Sequence, residues 1–498
     1  MKRKWYVLLV IIFMYLPVSI DATILYVVAP VLSSQLQASH VQLLWIMDIY
    51  PLVMAALLLP MGAFGDRIGY KKMAILGSLL FGIASFGAAC APSPEFLIAA
   101  RALLAVGAAM IVPATLAAVR KNFTNEKDRN MALGIWTTIG TAGALAGPLV
   151  GGVLLNYYYW GSVFLINVPV VLVVLILIQQ CIPEDESRTN RPVNLSQSLL
   201  LMSAILIVIF GTKSLINQKL PTLLSAYLLL VGLVLLAGFI TVQMVSRSPL
   251  LDTALLKQRN IIAGIILALT SMITLVGFEL VISQELQLVH RFTPVQAGLY
   301  IMPLMLAGCL AGPLAGYLIN LFGIKTVAVS GLAVAALSLY MLSDIQFGVQ
   351  FTKAWIWMTL LGVGDTVALM ASSSAIMSAA PAHKASSAGS IEGMSYELGT
   401  GLGITIFGSV LAGVYSTTVR LPEHLPESIR TPASASFSEA VEAARHLDDV
   451  SREALLKSAS SAFMQSHNVM LESASLILTI LMILTFFIFK QGKAISQG

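Results

Sequence analysis

The sequence predicts an all-α integral membrane protein that crosses the bilayer fourteen times. Three observations carry this. Hydrophobic residues make up 57% of the chain and charged residues only 11%, where a soluble domain carries about 25% charged residues. Apolar runs of about 20 residues, each long enough for a hydrocarbon core of about 30 Å, recur along nearly the whole length. The basic residues alternate between loops. Lys2, Arg3 and Lys4 precede the first run, Arg67, Lys71 and Lys72 follow the second, and Arg120, Lys121, Lys127 and Arg129 follow the fourth. Loops 30–43, 91–95 and 153–162 contain no Lys or Arg. This is the positive-inside pattern and predicts a cytoplasmic N-terminus. The net charge of +5 therefore reports topology, not a nucleic-acid partner.

The first span, 6–29, has a basic start but no small-residue cleavage site after it, so it is read as an uncleaved helix. Spans 44–65 and 73–91 are joined by a short glycine-rich loop, and 95–118, 131–154 and 163–182 complete a first set of six. The loop 183–194 is charged and rich in turn residues, and it separates that set from 195–215 and 222–245. Spans 260–288, 296–320, 324–343, 353–379 and 387–415 follow. The segment 416–468 is the one long polar stretch; charges alternating with Ala, Leu and Val predict one or two amphipathic surface helices on the outer face. Long loops largely escape the charge rule, so its five basic residues are compatible with that side. The last span, 469–489, ends before Lys490 and Lys493, which places both termini in the cytoplasm.

The chain repeats itself. Residues 62–71 read GAFGDRIGYK and 316–325 read GYLINLFGIK, so Gly62, Gly69 and Lys71 fall on Gly316, Gly323 and Lys325, and Asp66 on Asn320. A second echo lays Gly143 and Gly147 on Gly399 and Gly403. Two related six-helix units with two inserted helices between them account for fourteen. The expected boundaries are 1–182, 183–259 and 260–498.

The fifth span carries a glycine array, GIWTTIGTAGALAGPLVGG, in which Gly134, Gly143, Gly147, Pro148, Gly151 and Gly152 recur at helical spacing. Small residues let membrane helices approach closely, and a proline at membrane depth survives where neighbouring groups satisfy the carbonyl it frees. The loop GAFGDRIGYKK supplies Gly62, Gly65 and Gly69 for a tight turn, with Asp66, Arg67 and Lys71 placed to contact helix ends and latch one conformation. Within the spans, Asp21 lies in SIDATILYVVAP and Arg101 in FLIAARALLAVGAAM. An intramembrane Arg costs about 2.5–3.5 kcal/mol on insertion scales, so it should face an acidic partner or a wet cavity. A mid-span carboxyl is a natural proton carrier, and Arg101 is its expected partner.

The array resembles the antiporter motif of proton-coupled exporters of the major facilitator superfamily, and the glycine loop resembles that superfamily's signature between helices two and three. SIDATILYVVAP is similar to the LDxTIVNVALP pattern of its fourteen-helix drug:proton antiporters, and WGSVFLINVP (160–169) to their WRWIFLINVP, with Gly161 in place of the Arg. ELQLVHRFTPVQAGLYIMP (285–303) and GSIEGMSYELGTGLGITIFGSV (389–410) fit the same family, although Glu397 stands where neutral polar residues are common. The resemblance covers almost the whole chain and is weakest in 416–468. It implies two six-helix bundles plus two inserted helices and rocker-switch alternating access. It also implies export of lipophilic cations, such as quaternary ammonium antiseptics, dyes and methyl viologen, in exchange for protons. The expected setting is the bacterial cytoplasmic membrane, the expected state a monomer. Asp21 and Arg101 would carry proton coupling.

Other acids within or beside the spans are Asp48, Glu279, Glu285, Asp365, Glu392 and Glu397. Asp48 and Glu285 fall near the outer ends of their spans and are read as solvated. Glu279, Asp365, Glu392 and Glu397 are the candidate cation site, because carboxylates in excess over one buried Arg suit a positively charged substrate. Aromatic faces add cation–π attraction, and Trp45, Tyr50, Trp136, Phe278, Trp357 and Tyr396 are the candidates. The 21 methionines suit promiscuous binding.

No nucleotide-binding loop, G-x-S-x-G motif or metal spacing is present. His40, His290, His383, His424, His446 and His467 are read as loop residues, and Cys90, Cys181 and Cys309 offer no disulfide framework. No cofactor, metal or enzymatic activity is expected. Export of an endogenous metabolite, or a non-transporting receptor or scaffold, are the alternatives.

Overall fold

The computed structural model describes residues 2–489 except 184–194, 218–219, 247–248, 250–252, 381–384, 423–424 and 446. Nearly all of the charged loop 183–194, with His383, His424, His446, Lys490 and Lys493, lies outside the described residues. So do the side chains of Lys2, Arg3, Asp66, Lys127 and Arg129.

Among the described residues every regular element is helical. The first group is α1 (Lys2–Leu36), α2 (His40–Ile68), α3 (Tyr70–Ala89), α4 (Pro94–Asn122), α5 (Glu126–Tyr157), α6 (Ser162–Leu165) and α7 (Asn167–Cys181). Then come α8 (Leu195–Asn217), α9 (Thr222–Val245) and the short α10 (Thr253–Leu256). The last group is α11 (Arg259–Gln284), which continues into a π-helical turn Glu285–Val289, then α12 (Pro294–Phe322), α13 (Ile324–Ser343), α14 (Phe351–Ala379) and α15 (Ala385–Thr418). It closes with α16 (Glu427–Ala435), α17 (Phe437–Ala444) and α18 (Asp449–Ile488). Fourteen helical stretches are long and apolar enough to span a membrane, with α6 and α7 forming one of them.

Local chemistry sets the boundaries. Ser39 and Thr293 form capping boxes with Gln42 and Gln296 at the starts of α2 and α12, and Ser93 caps α4 ahead of Pro94. Gly69 and Gly323 end α2 and α12 with φ of 92° and 81°, a backbone region that favours glycine. Each donates its N–H to a carbonyl four residues back, Gly65 and Ile319. The sequence repeat is therefore a repeat of backbone geometry.

One hydrophobic core gathers α1 to α7 around Ile11, Leu32, Leu104 and Phe164, and another gathers α11 to α18 around Leu267, Leu332, Leu361 and Leu471. Leu201, Ile205 and Ile209 of α8 join a third cluster with Leu52, Ile376 and Ile391. The two large cores meet along α2–α15 and α5–α12. Described contacts between them lie at mid-membrane and toward the end predicted to face outward, and a Cβ at Gly393 would also meet Leu58, further in, at 3.7 Å. Gly152 lies against the Pro294–Val295 backbone, Gly401 against Leu52 and Gly408 against Leu44. Gln287 donates to the Val27 carbonyl at 2.9 Å, and a His40 ring nitrogen contacts the Gly408 carbonyl at 3.0 Å. Gly312, Gly316 and Gly389, toward the other end, face open space.

Two expectations about the outer segment change. The polar run splits into α16, α17 and the first half of α18, a 40-residue helix that starts twenty positions before the apolar run 469–489. Asp448 caps its start, its side chain accepting from the Ser451 N–H, and helix-forming residues carry it unbroken into the membrane. His467 is thus a mid-helix residue and is buried, and His40 opens α2 and is also buried; neither is a loop residue.

Candidate functional site

The glycine array places α5 on α1. A Cβ at Gly143 would meet Ser19, one at Gly147 would meet the Ile20 carbonyl and Ile24 nitrogen at 3.0 Å, and one at Gly151 would meet Ile24. Gly140, which the motif spacing did not single out, faces Tyr15 in the same way. Gly152 is turned the other way, toward α12, and Gly298 of α12 in turn faces Pro148. Pro148 has no N–H to offer the Ala144 carbonyl, and Thr23 of α1 supplies the donor instead, at 2.8 Å. The second echo is built alike: Gly399 and Gly403 of α15 press on Leu269 and Ile273 of α11.

This seam fixes α1, and α1 carries Asp21. Arg101 of α4 donates through Nη1 to Asp21 Oδ2 at 2.5 Å and through Nε to the Ile46 carbonyl at 3.1 Å. Its guanidinium lies 4.7 Å from the centre of the Tyr50 ring. Both charged side chains are buried, at 2% and 0% exposure. The expected pairing of Asp21 with Arg101 is present, and Asp21 Oδ1 has no hydrogen-bond partner among the described residues.

The acids of the second core are arranged differently. Asp365 of α14 is fully buried, and neither of its oxygens has a partner among the described residues. It lies within electrostatic reach of Glu279 of α11, which is also buried. No cation stands near them in the sequence: α12 and α15 contain no Lys or Arg, and Lys353 is twelve residues from Asp365, about 18 Å along α14. Glu397 of α15 is half-buried and lies within electrostatic reach of Tyr15, Tyr26 and Tyr50 of the first core. Trp136 of α5 stacks on Tyr15 with ring centroids 4.3 Å apart and bonds Thr115 through Nε1 at 3.1 Å. Glu397 and the Tyr15–Trp136 stack thus belong to opposite cores, with Tyr15 within electrostatic reach of the carboxylate. Glu392 is held within its own helix, accepting from the Tyr396 hydroxyl at 2.6 Å.

Several expectations need correction. Asp48 is fully buried rather than solvated; its Oδ2 accepts from Lys213 of α8 at 2.5 Å and from Thr405 of α15 at 2.7 Å. Glu285, which opens the π-turn, is also buried; its carboxylate bonds the ring of His467 and lies 3.4 Å from His290 Nε2. Arg101 is not the only buried cation, since Lys213 is equally inaccessible. Phe278 has no exposed surface and is packed inside the second core, so in this conformation it is a packing residue. Trp357 lies at the edge of that core. Tyr50 and Trp45 already hold the protein's own cations, Arg101 and Lys213, the latter 4.2 Å from the Trp45 ring centre. Lys213, the one charged residue in the sequence of α8 and α9, was the signal that would have flagged the Asp48 site.

In the signature loop, Gly62 and Gly65 face Pro113 and Met73, Arg67 is exposed, and Lys71 bonds the Gln179 carbonyl at 3.4 Å. Its repeat partner Lys325 stands 3.8 Å from the centre of the Phe486 ring.

The chain is 48% identical to the methyl viologen resistance protein SmvA of Salmonella typhimurium, over 98% of each protein. It is 33% identical to the multidrug efflux pump LfrA of Mycolicibacterium smegmatis, over 93% of this chain and 91% of that one. The crystal structure of a bacterial homologue of the human lysosomal transporter Spinster, in an inward-facing and occupied conformation, shares the fold with a TM-score of 0.72 at 16% identity, covering 99% of this chain and 100% of that one. Residues 11–404 match the family profile, and this multi-pass membrane protein belongs to the Major Facilitator Superfamily.

Proposed function

We propose that the chain is a proton-coupled antiporter that exports lipophilic cations across the bacterial cytoplasmic membrane, with both termini cytoplasmic. Methyl viologen, quaternary ammonium antiseptics and cationic dyes are the substrates meant. The observation that carries this reading is the contrast between one carboxylate neutralised by a buried Arg and three, Glu279, Asp365 and Glu397, with no ion-paired cation among the described residues. A site with surplus carboxylates and a stacked Tyr15–Trp136 pair attracts a flat or bulky cation by charge and by ring quadrupole. The efflux relatives support the direction of transport.

In this reading the cation enters from the side where the two cores are apart and lodges between Glu397 and the Tyr15–Trp136 face. A proton arriving from outside binds Asp21, whose Oδ1 is free to take it, and the neutral carboxyl loosens its hold on Arg101. The 1–182 and 260–498 units rock about the seams α2–α15 and α5–α12, and the signature loop gates the inner end.

The test is transport by purified protein in liposomes with an imposed pH gradient and pyranine inside. Methyl viologen or ethidium accumulation accompanied by counter-movement of protons is expected. Cation movement with no proton flux overturns the coupling. Proton flux that neither cation elicits would favour export of a metabolite instead.

A further inference from the structure

The inserted helices α8 and α9 have no counterpart in the repeat, yet α8 carries a buried Lys. Lys213 Nζ stands 2.5 Å from Asp48 Oδ2 in α2, and the same oxygen accepts from Thr405 Oγ1 of α15 at 2.7 Å. One carboxylate therefore joins three parts of the molecule: the first core, the inserted pair and the second core. Asp48 and Lys213 are at most 1% exposed. The node sits eight residues into α2, about 12 Å from its outer end.

The contacts around this node are of unequal strength. Apolar faces of α8 touch both sides, Leu52 of α2 and Ile376 and Ile391 of the second core, and such contacts are non-directional. The ion pair is directional, and separating two buried opposite charges is costly. The Thr405 bond is to a neutral hydroxyl. When the outer end opens, α2 and α15 must part where Gly408 lies on Leu44 and Gly401 on Leu52. The weaker bond yields first.

We propose that Asp48 and Lys213 are positioning residues that clamp the inserted pair to the first core, so that α8 and α9 travel with α2 while Thr405 is the releasable half of an outer latch. The idea rests on alternating access of the two cores and not on the substrate.

Distances read by electron paramagnetic resonance test it in the full-length protein, with Cys90, Cys181 and Cys309 replaced by Ser. Spin labels at exposed Leu223 of α9 and Phe96 of α4 report the inserted pair against the first core. Labels at Leu223 and exposed Val349 report it against the second. The substitution Gly408→Trp, which finds no room against Leu44, wedges the outer seam open. The expected result is a longer Leu223–Val349 distance with an unchanged Leu223–Phe96 distance. Adding Lys213→Met, or Asp48→Asn with Lys213→Met should the single variant not fold, should broaden the Leu223–Phe96 distribution. Equal lengthening of both distances, no lengthening of either, or a wedge pattern indifferent to the loss of the ion pair would each overturn the proposal. Because no transport is measured, such a result leaves the export reading standing.

Discussion

Asp21 and Asp365 are equally buried, in the first and second core respectively, and their surroundings are opposite. Asp21 has an Arg at 2.5 Å that is itself tied to the Ile46 carbonyl and backed by the Tyr50 ring. Asp365 has no donor to either oxygen among the described residues, and the group within electrostatic reach of it is a second acid, Glu279. A carboxylate held by a fixed guanidinium is a part of the structure that changes when a proton arrives. Carboxylates without a fixed partner leave room for a mobile one. On the export mechanism proposed above, the difference amounts to a division of labour: the first core would supply the coupling element, and the second the charge that a travelling cation would meet.

The strongest way to break this comparison is to remove the paired carboxylate. Asp21→Asn should abolish proton-driven ethidium efflux while the protein still reaches the membrane. It should also lower stability, because losing one partner of a buried pair costs about 3–5 kcal/mol. The double variant with Arg101→Gln should recover stability without transport. Wild-type efflux by Asp21→Asn, measured in intact cells, removes Asp21 from coupling. Next in size is Gly147→Leu. Backbone atoms of Ile20 and Ile24 stand 3.0 Å from where its Cβ would go, so α1 must move away from α5 and carry Asp21 with it. Efflux should fall much further than the membrane level of the protein; equal falls, read by immunoblot beside efflux, reduce the array to ordinary helix contact.

Neutralising the unpaired acids sharpens the other side. Glu397→Gln, Glu279→Gln and Asp365→Asn should each weaken resistance to a divalent quaternary ammonium compound more than to a monovalent one. A carboxylate within a few ångströms of a cation contributes up to about 4 kcal/mol at an effective dielectric near 20, and a second positive charge needs its own partner. Glu397→Gln should show the largest effect of the three, since that carboxylate is the least buried and lies within electrostatic reach of Tyr15, which stacks on Trp136. Intact resistance to both compounds in all three variants would move the cation site elsewhere.

Fourteen spans were legible because apolar length is a one-dimensional property, and the repeat because Gly69 and Gly323 are required by positive φ. The Asp21–Arg101 pair was legible because each residue alone is expensive in a membrane and each needs the other. Asp48 and Glu285 were misread for one shared reason. Distance from a helix end says how far a residue is from the interface, but not whether another helix covers it. Lys213 covers the first, and the extension of α18 brings His467 over the second. Phe278 was misplaced because periodicity does not say which face of α11 looks inward.

The smallest effect tests the same comparison at the level of one hydrogen bond. In the first core, Pro148 leaves the Ala144 carbonyl without its helical donor, and Thr23 fills the gap. In the second core, the repeat lays Pro148 on Ile404, which has an N–H, so that seam needs no rescue. Thr23→Val should therefore destabilise the protein by about 0.6 kcal/mol, the average measured for hydrogen bonds between membrane helices, and by no more than about 1.7 kcal/mol. Pro148→Ala restores an N–H at that position, so in its presence Thr23→Val should cost almost nothing. The four proteins of this cycle would be compared by unfolding in mixed micelles. A Thr23→Val penalty that is the same with and without the Pro148→Ala substitution would mean that Thr23 acts through contact with Gly147 rather than through the freed carbonyl.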